Sequence, residues 1–516
     1  MAFFLSSFTV VLSLLDTASA GWQNISASCP DYATYATQKH KPFSNGIFQL
    51  SNARPAEHCR TFVSPGIETL IHTITSQIGD PDLERLFENT FGSCVDTVIR
   101  WKGEAATGEE LSFIITGDID AMWLRDAAQS LHPYQSLVAA NDDIASLFRG
   151  TINIQSRFLT EAPYCNAFKP PPESGLPLPA NDFQGNVTPV VSNHTIWTPC
   201  QFELDSLAAF LQLSNDYWQA THDISFFQQE SWLQAIDVVL QTMNSMKVPS
   251  YDPMTGAPNE HQPYLFISDE PGWGSLINSG AGEPFNAGTG LVHTPFRPSD
   301  DPTVFTLHIP ANAMMAVQLK QTSAILGATG SNKTLEHVLY NAGASIEKAI
   351  YQHGLTQHPD YGTVFAYEVD GYGSYNLMDD ANIPSLLSLP MLGFVDRTNR
   401  IYQNTRKMLL NRHSNRYYTT GPVISGIGGP HVGPKNPWPM ALCAQIQTST
   451  NRSEIAEVLL MLKSSTAGLG LMHESIDIYN QTDYTRPWFV WANSVFAQTI
   501  LDVVERFPDL LFSEET

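Results

Sequence analysis

Apolar residues recur at intervals of three and four along much of the chain, and sustained strand-type alternation is almost absent. Leu70, Ile71 and Ile74 share one helical face, as do Ile236, Leu240 and Met243; Leu335, Val338, Leu339 and Ala342; and Ile455, Val458, Leu459 and Leu462. Local signals mark the ends: Pro310 is expected to open a helix that Gly327 closes, Gly354 ends the next, and Asn451 with Glu454 forms a capping pair. The spacing predicts helices with ordinary polar flanks near residues 67–78, 142–158, 231–246, 335–353, 397–411 and 453–464.

Between them lie six clusters dense in carboxylate, amide, Arg and Trp residues, each preceding or opening a further apolar stretch. They are Asp118-Ile-Asp-Ala-Met-Trp-Leu-Arg-Asp126, Phe202-Glu-Leu-Asp-Ser206, His308-Ile-Pro-Ala-Asn312, Asp379-Asp-Ala-Asn-Ile-Pro384, Pro437-Trp-Pro439 and Trp488-Phe-Val-Trp-Ala-Asn493. Six plain helices alternating with six decorated ones predict an all-α protein, an (α/α)6 barrel whose inner helices start at one end and gather their polar starts around a central pit. Helix capping alone accounts for Asp and Asn at such positions, but not for the Trp and Arg beside them.

The pattern at the two ends differs. Residues 1–20 combine an apolar run with Ala18-Ser19-Ala20 and read as a signal peptide, too short to span a bilayer. Residues 21–65 read as an N-terminal extension and 66–516 as the catalytic domain, with irregular insertions at 163–200 and 249–301. Six sequons, at Asn24, Asn186, Asn193, Asn332, Asn451 and Asn480, agree with export and secretion. Of the six cysteines none shows zinc-like spacing, and Cys165 and Cys200 are expected to close the Pro-rich stretch between them. An excess of 51 Asp+Glu over 27 Lys+Arg argues against a nucleic-acid or anionic-membrane surface. No membrane anchor is expected.

Glycosidic cleavage requires one carboxylic acid to protonate the departing oxygen and a second carboxylate to activate water or attack the sugar. Candidates at the decorated starts are Asp118, Asp120, Asp126, Glu203, Asp205, Asp379, Asp380 and Glu474. Around Glu474, a Gly-flanked loop carries His473, and the segment that follows supplies Arg486, Trp488, Trp491 and Asn493 for hydrogen bonding and stacking. Arg297, Asp300 and Asp301 are placed to reach the leaving-group sugar, or else form a solvated loop. Signatures of serine hydrolases, zincins and common nucleotide-binding proteins are absent. A calcium site among so many acids, and a catalytically silent mannan-binding protein, are the competing readings; the second has no need of an acid and base pair.

Several long motifs occur together and in order: TGDIDAMWLRDAAQSLHPY, FELDSL, FRPSDD, YEVDGYGSYNLMDDANIPSLLSLP, WPMAL, and MHES followed by YTRPWFVWANS. Over roughly Gly66 to Phe507 the chain resembles glycoside hydrolase family 125, the exo-α-1,6-mannosidases, and its secreted fungal members in particular. The resemblance implies an (α/α)6 barrel, inversion of configuration, α-mannoside glycans as substrate, and neither a metal nor a cofactor. It implies Asp205 as general acid and Glu474 as general base, with a carboxyl separation of roughly 6.5–9.5 Å. Arg125, Asp126, Asp379, Asp380, Asn382, His473, Trp488 and Asn493 would form the terminal mannose subsite, and Arg297 its neighbour. Phe202 stands where bacterial relatives tend to have Tyr, a departure that touches neither carboxylate.

Overall fold

The computed structural model describes residues 20–179, 185–191, 194–197, 200–269 and 274–512. They are mostly helical. The plain helices lie close to their expected positions, at Pro65–Thr75, Asp142–Glu161, Glu230–Ser245, Lys333–His353, Arg400–Leu409 and Arg452–Ser464. Each buries one face. In Lys333–His353 the buried set is Leu335, Leu339, Gly343, Ile346, Ala349 and Ile350, whereas Val338 turns toward solvent.

A second kind of helix is buried almost all round its first turns. In Leu204–Thr221 residues 204–211 are all buried, in Ile309–Thr329 residues 309–319, and in Val490–Arg506 residues 490–497. Leu124–Leu131 and Pro439–Thr448 share this character. These helices pack on one another: Leu204–Thr221 touches Leu124–Leu131 and Ile309–Thr329, and Val490–Arg506 touches Leu124–Leu131 and Pro439–Thr448.

Three expectations change. The 379–384 cluster opens no helix: the segment runs on as bends and turns, because Pro384 and Pro390 supply no N–H and the Asp379 carboxylate takes the Leu386 and Leu387 amides. An unanticipated helix, Pro81–Thr97, packs against Val490–Arg506. The fold is also not purely helical. Short antiparallel ladders connect the helices, the longest pairing Ile99–Glu104 with Glu110–Ile114. At finer scale, the helix opened by Pro310 passes through Gly327 and stops at the left-handed Gly330.

The segment 21–65 is part of the same body. Gly21–Trp22 pairs with Phe62–Val63, Arg54 bridges to Asp96 and Glu68, and Leu50, Ala53 and Phe62 enter the main core. Cys165 pairs with Cys200 as expected, and Cys29 pairs with Cys59. Asn24, Asn186, Asn332, Asn451 and Asn480 are exposed; Asn193 and residues 1–19 of the expected signal peptide 1–20 lie outside the described residues. No described helix is long and apolar enough to cross a membrane.

Candidate active site

A cavity of about 440 Å³ opens where three of the buried helices begin. Arg125 and Asp126 come from the first turn of Leu124–Leu131, Trp438 is the residue before Pro439–Thr448, and Trp491 stands in the first turn of Val490–Arg506. Loops supply the rest: Trp197 and Gln201, the turn Pro298–Pro302, Asn382, His431, Glu474 and Arg486. Polar groups set among indole faces suit a sugar, whose C–H patches stack while its hydroxyls hydrogen-bond.

Glu474 is held from behind. Its amide donates to the Thr485 carbonyl at 3.2 Å, and the next two residues pair with Tyr484 and Thr485. The loop is also clamped to a helix by Asn493, whose side chain accepts from the Met472 amide at 2.9 Å and donates to the Met472 and Phe489 carbonyls. Arg486, with φ +47°, places one guanidinium nitrogen 3.8 Å from Glu474 and donates to Asp118 at 2.6 and 2.8 Å.

The turn carrying Asp300 and Asp301 lines the same cavity and is braced from several directions. Asp300, at φ +65°, accepts from Asn166 at 2.9 Å and Trp123 at 3.3 Å, while Gln201 donates to its carbonyl. Asp301 stands 3.6 Å from the His431 ring and has one buried oxygen without a partner. Desolvation disfavours charge on that imidazole, but the Asp301 hydrogen bond and the Asp301, Glu474 and Asp300 charges outweigh it and push the ring up to about 9. His431 thus stands among the carboxylates that line the cavity.

Behind the wall, one cation serves several acids. Arg125 contacts Glu203 at 2.7 Å, Asp205 at 3.0 Å and Asp126 at 3.4 Å, and lies over the Trp491 ring at 4.8 Å. Burial raises the Glu203 and Asp205 carboxyls and pushes Asp126 up to about 6, with Arg125 only partly offsetting the effect. A single guanidinium cannot neutralise this group, so it retains protons where exposed acids would have lost theirs.

The expected site residues separate on these grounds. Arg125, Asp126, Asn382 and Glu474 line the cavity. Asp205 does not: it is fully buried behind the wall, and one oxygen is taken by Arg125. That position is a poor one for protonating a glycosidic oxygen. Arg297, expected in the neighbouring subsite, is buried too: it donates to Glu368 at 2.7 Å and is not among the residues that line the cavity. Asp380 accepts from Ser299 and from the Asn382 side chain, so it orients Asn382 rather than facing a ligand. Asp379 caps the turn after it. Burial pushes that carboxyl up to about 8, two backbone N–H groups working against the shift.

His473 is also set back: its ring stacks on Tyr484 at 3.8 Å, and burial lowers it to about 4. Trp488 donates to Thr97 at 2.9 Å and faces a different cavity, with Trp491 taking the place expected of it. Asn493 serves the Glu474 loop, as described. Sequence reasoning passed over His431, Trp197 and Gln201, which sit in irregular segments rich in Gly, Pro and Asn where no periodicity singles out a residue.

The comparisons with known proteins decide the family. A family model described as metal-independent alpha-mannosidase (GH125) matches residues 80–501. The chain belongs to glycoside hydrolase family 125. A relative from Schizosaccharomyces pombe, the meiotically up-regulated gene 157 protein, is 46% identical over 484 residues, covering 94% of each chain. A Streptococcus pneumoniae structure, a metal-independent alpha mannosidase in a non-productive complex with alpha-1,6-mannobiose, superposes with a TM-score of 0.74 at 28% identity, covering 86% of this chain and 99% of that one. This family member is accordingly a metal-independent α-mannosidase.

Proposed function

We propose that the protein is an inverting exo-α-mannosidase that removes terminal mannose from α-1,6-linked mannosides, with Glu474 as general base and Asp301 as general acid. The observation that carries this reading is one cavity lined by both Glu474 and the Asp300–Asp301 turn. Inversion needs two carboxyl groups on opposite faces of the sugar, far enough apart to admit a water beside it. Asp300 is committed to Asn166 and Trp123, whereas Asp301 keeps a free oxygen. On this reading the acid role expected of Asp205 passes to Asp301. Asp205 instead shares the Arg125 charge that fixes the wall.

A cavity of about 440 Å³ is small for an extended glycan and supports exo action on a chain end. The row of buried helices in contact, from Ile309–Thr329 through Leu204–Thr221, Leu124–Leu131 and Val490–Arg506 to Pro439–Thr448, flanked by one-faced helices, supports the (α/α)6 barrel, with the turn segment after Asp379 standing in for one inner helix. The α-1,6 preference rests on the mannobiose bound by the Streptococcus relative. The apolar leader and exposed sequons support secretion of a glycoprotein.

The acid assignment is tested by changing the leaving group. Asp301→Asn is expected to lose roughly 10²–10⁴-fold in kcat on mannobiose and to recover most of it on a dinitrophenyl mannoside, whose leaving group departs without protonation. Equal loss on both substrates would remove Asp301 from the acid role. Asp205→Asn showing the leaving-group dependence instead would restore the original assignment.

A further inference from the structure

The second cavity, which Trp488 faces, has a volume of about 620 Å³ and lies beside the first. The two share a wall made of paired extended segments. The Val490 amide donates to Thr116, the Asp118 amide to Trp488, and Gly117 bridges Phe489. Thr116, Arg486 and Phe489 line the catalytic cavity, and Gly117, Asp118 and Trp488 the second one. Gly117, at φ +138°, is needed there, because a Cβ would fall 2.2 Å from the Trp488 carbonyl oxygen.

The lining combines rigid rings with hydrogen-bonding groups. Trp22 donates its indole N–H to the Ile99 carbonyl at 3.2 Å, Trp488 donates to Thr97, and Tyr32 donates to the Ala53 carbonyl at 2.7 Å while packing edge-on against Trp488. With their polar ends satisfied by protein, these rings offer carbon faces of fixed orientation. Trp101 lies close over Gly103, where a Cβ would come within 2.4 Å of its ring, so the strand itself makes room for the indole. Around them Asp31, Asp118 and Asp120 supply acceptors, and the Arg100 guanidinium pairs with Asp120. With Asp96, four lining carboxylates to one lining arginine disfavour an anion. A neutral polyol fits.

We propose that this cavity is a non-catalytic binding site for a neutral oligomannoside segment. The proposal rests on the α-mannosidase reading but not on the acid assignment. Two sources offer that chemistry: a further branch of the substrate glycan, and a glycan carried on this chain at the sequon Asn24-Ile-Ser26, whose asparagine sits on the cavity wall. Occupancy by the substrate would act on the catalytic side through Asp118, which shares Arg486 with Glu474.

The test titrates a branched α-mannooligosaccharide into Glu474→Gln protein, reading bound ligand per chain and tryptophan fluorescence, with and without Asn24→Gln. Two sites in both forms assign the cavity to substrate, and a second site only in the Asn24→Gln form assigns it to the chain's own glycan. A single site in both forms overturns the proposal. In the otherwise unaltered enzyme with the cavity open, Trp101→Ala should leave mannobiose turnover unchanged, which also shows that the variant folds. It should lower kcat/KM for the branched substrate roughly fivefold, the order expected of one lost aromatic contact. Equal kcat/KM values for the branched substrate in Trp101→Ala and the parent would count against it.

Discussion

At the scale of single residues, the site is governed by an imbalance of charge. Arg125 faces Glu203, Asp205 and Asp126, and all four side chains are buried. Removing the cation strands three acids in a medium that solvates them poorly. Arg125→Met should therefore destabilise the fold by about 3–5 kcal/mol, measured by chemical denaturation, and a cost below about 1 kcal/mol would show that these carboxyls are already neutral without it. Burial also raises Asp126 to about 6 and Asp379 to about 8, above the usual carboxylate values. A raised folded value means that the native state binds more protons than the unfolded chain. Stability from these groups is accordingly greatest near pH 4 and falls as pH rises through about 6 and then about 8. Thermal unfolding across this range should show the decline, and Asp379→Asn should flatten its upper part; an unaltered slope would contradict the assignment. The chemistry-bearing residue types were legible in the sequence because Arg, Trp and carboxylates recur at helix starts. Their division of labour was not: nothing in FELDSL or FRPSDD tells which aspartate reaches the cavity and which lies behind it, since that depends on Arg125, far away in the chain.

At the scale of elements, amphipathic periodicity located the one-faced helices because each buries a stripe and wets the rest. Pro81–Thr97 carries such a stripe too, Leu83, Leu86, Phe87, Phe91, Cys94 and Val95, behind an Asp80 cap and a Pro81 start, so its signal was present and passed over; its buried Asp82, Asn89 and Asp96 are partnered by Ser44, Ala53 and Arg54 of the 21–65 segment. Capping signals were informative but incomplete. Asn451 does cap Arg452–Ser464 through the Ser453 and Glu454 amides, yet Glu454 turns away to Arg406, Gln445 and Ser449 instead of closing a reciprocal pair. Asn451→Ala should cost about 1 kcal/mol by denaturant unfolding, whereas Glu454→Ala should cost more, because it also leaves Arg406 without its carboxylate. The reverse order would mean that the cap dominates.

At the scale of the whole molecule, the irregular segments complete what the helices begin. Helix starts supply Arg125, Asp126, Trp438 and Trp491, and loops add Glu474, His431 and the Asp300–Asp301 turn; the Cys165–Cys200 disulfide fixes the chain next to Gln201 on the same wall. The expected N-terminal extension is woven into the core and walls the second cavity. The alternation of two helix kinds was visible in the sequence, but the path of these loops, set by tertiary contacts rather than by local pattern, was not.

The central claim is that a base at Glu474 and an acid on the Asp300–Asp301 turn cleave α-mannosides with inversion and without a metal. Proton NMR of the purified protein acting on α-1,6-mannobiose in the presence of EDTA, with Glu474→Gln as control, tests it most directly. The account predicts that the first mannose released by the parent enzyme is the β anomer, that EDTA does not slow its release, and that the variant releases none on the same timescale. Initial release of α-mannose, or loss of activity restored by added calcium, would contradict it.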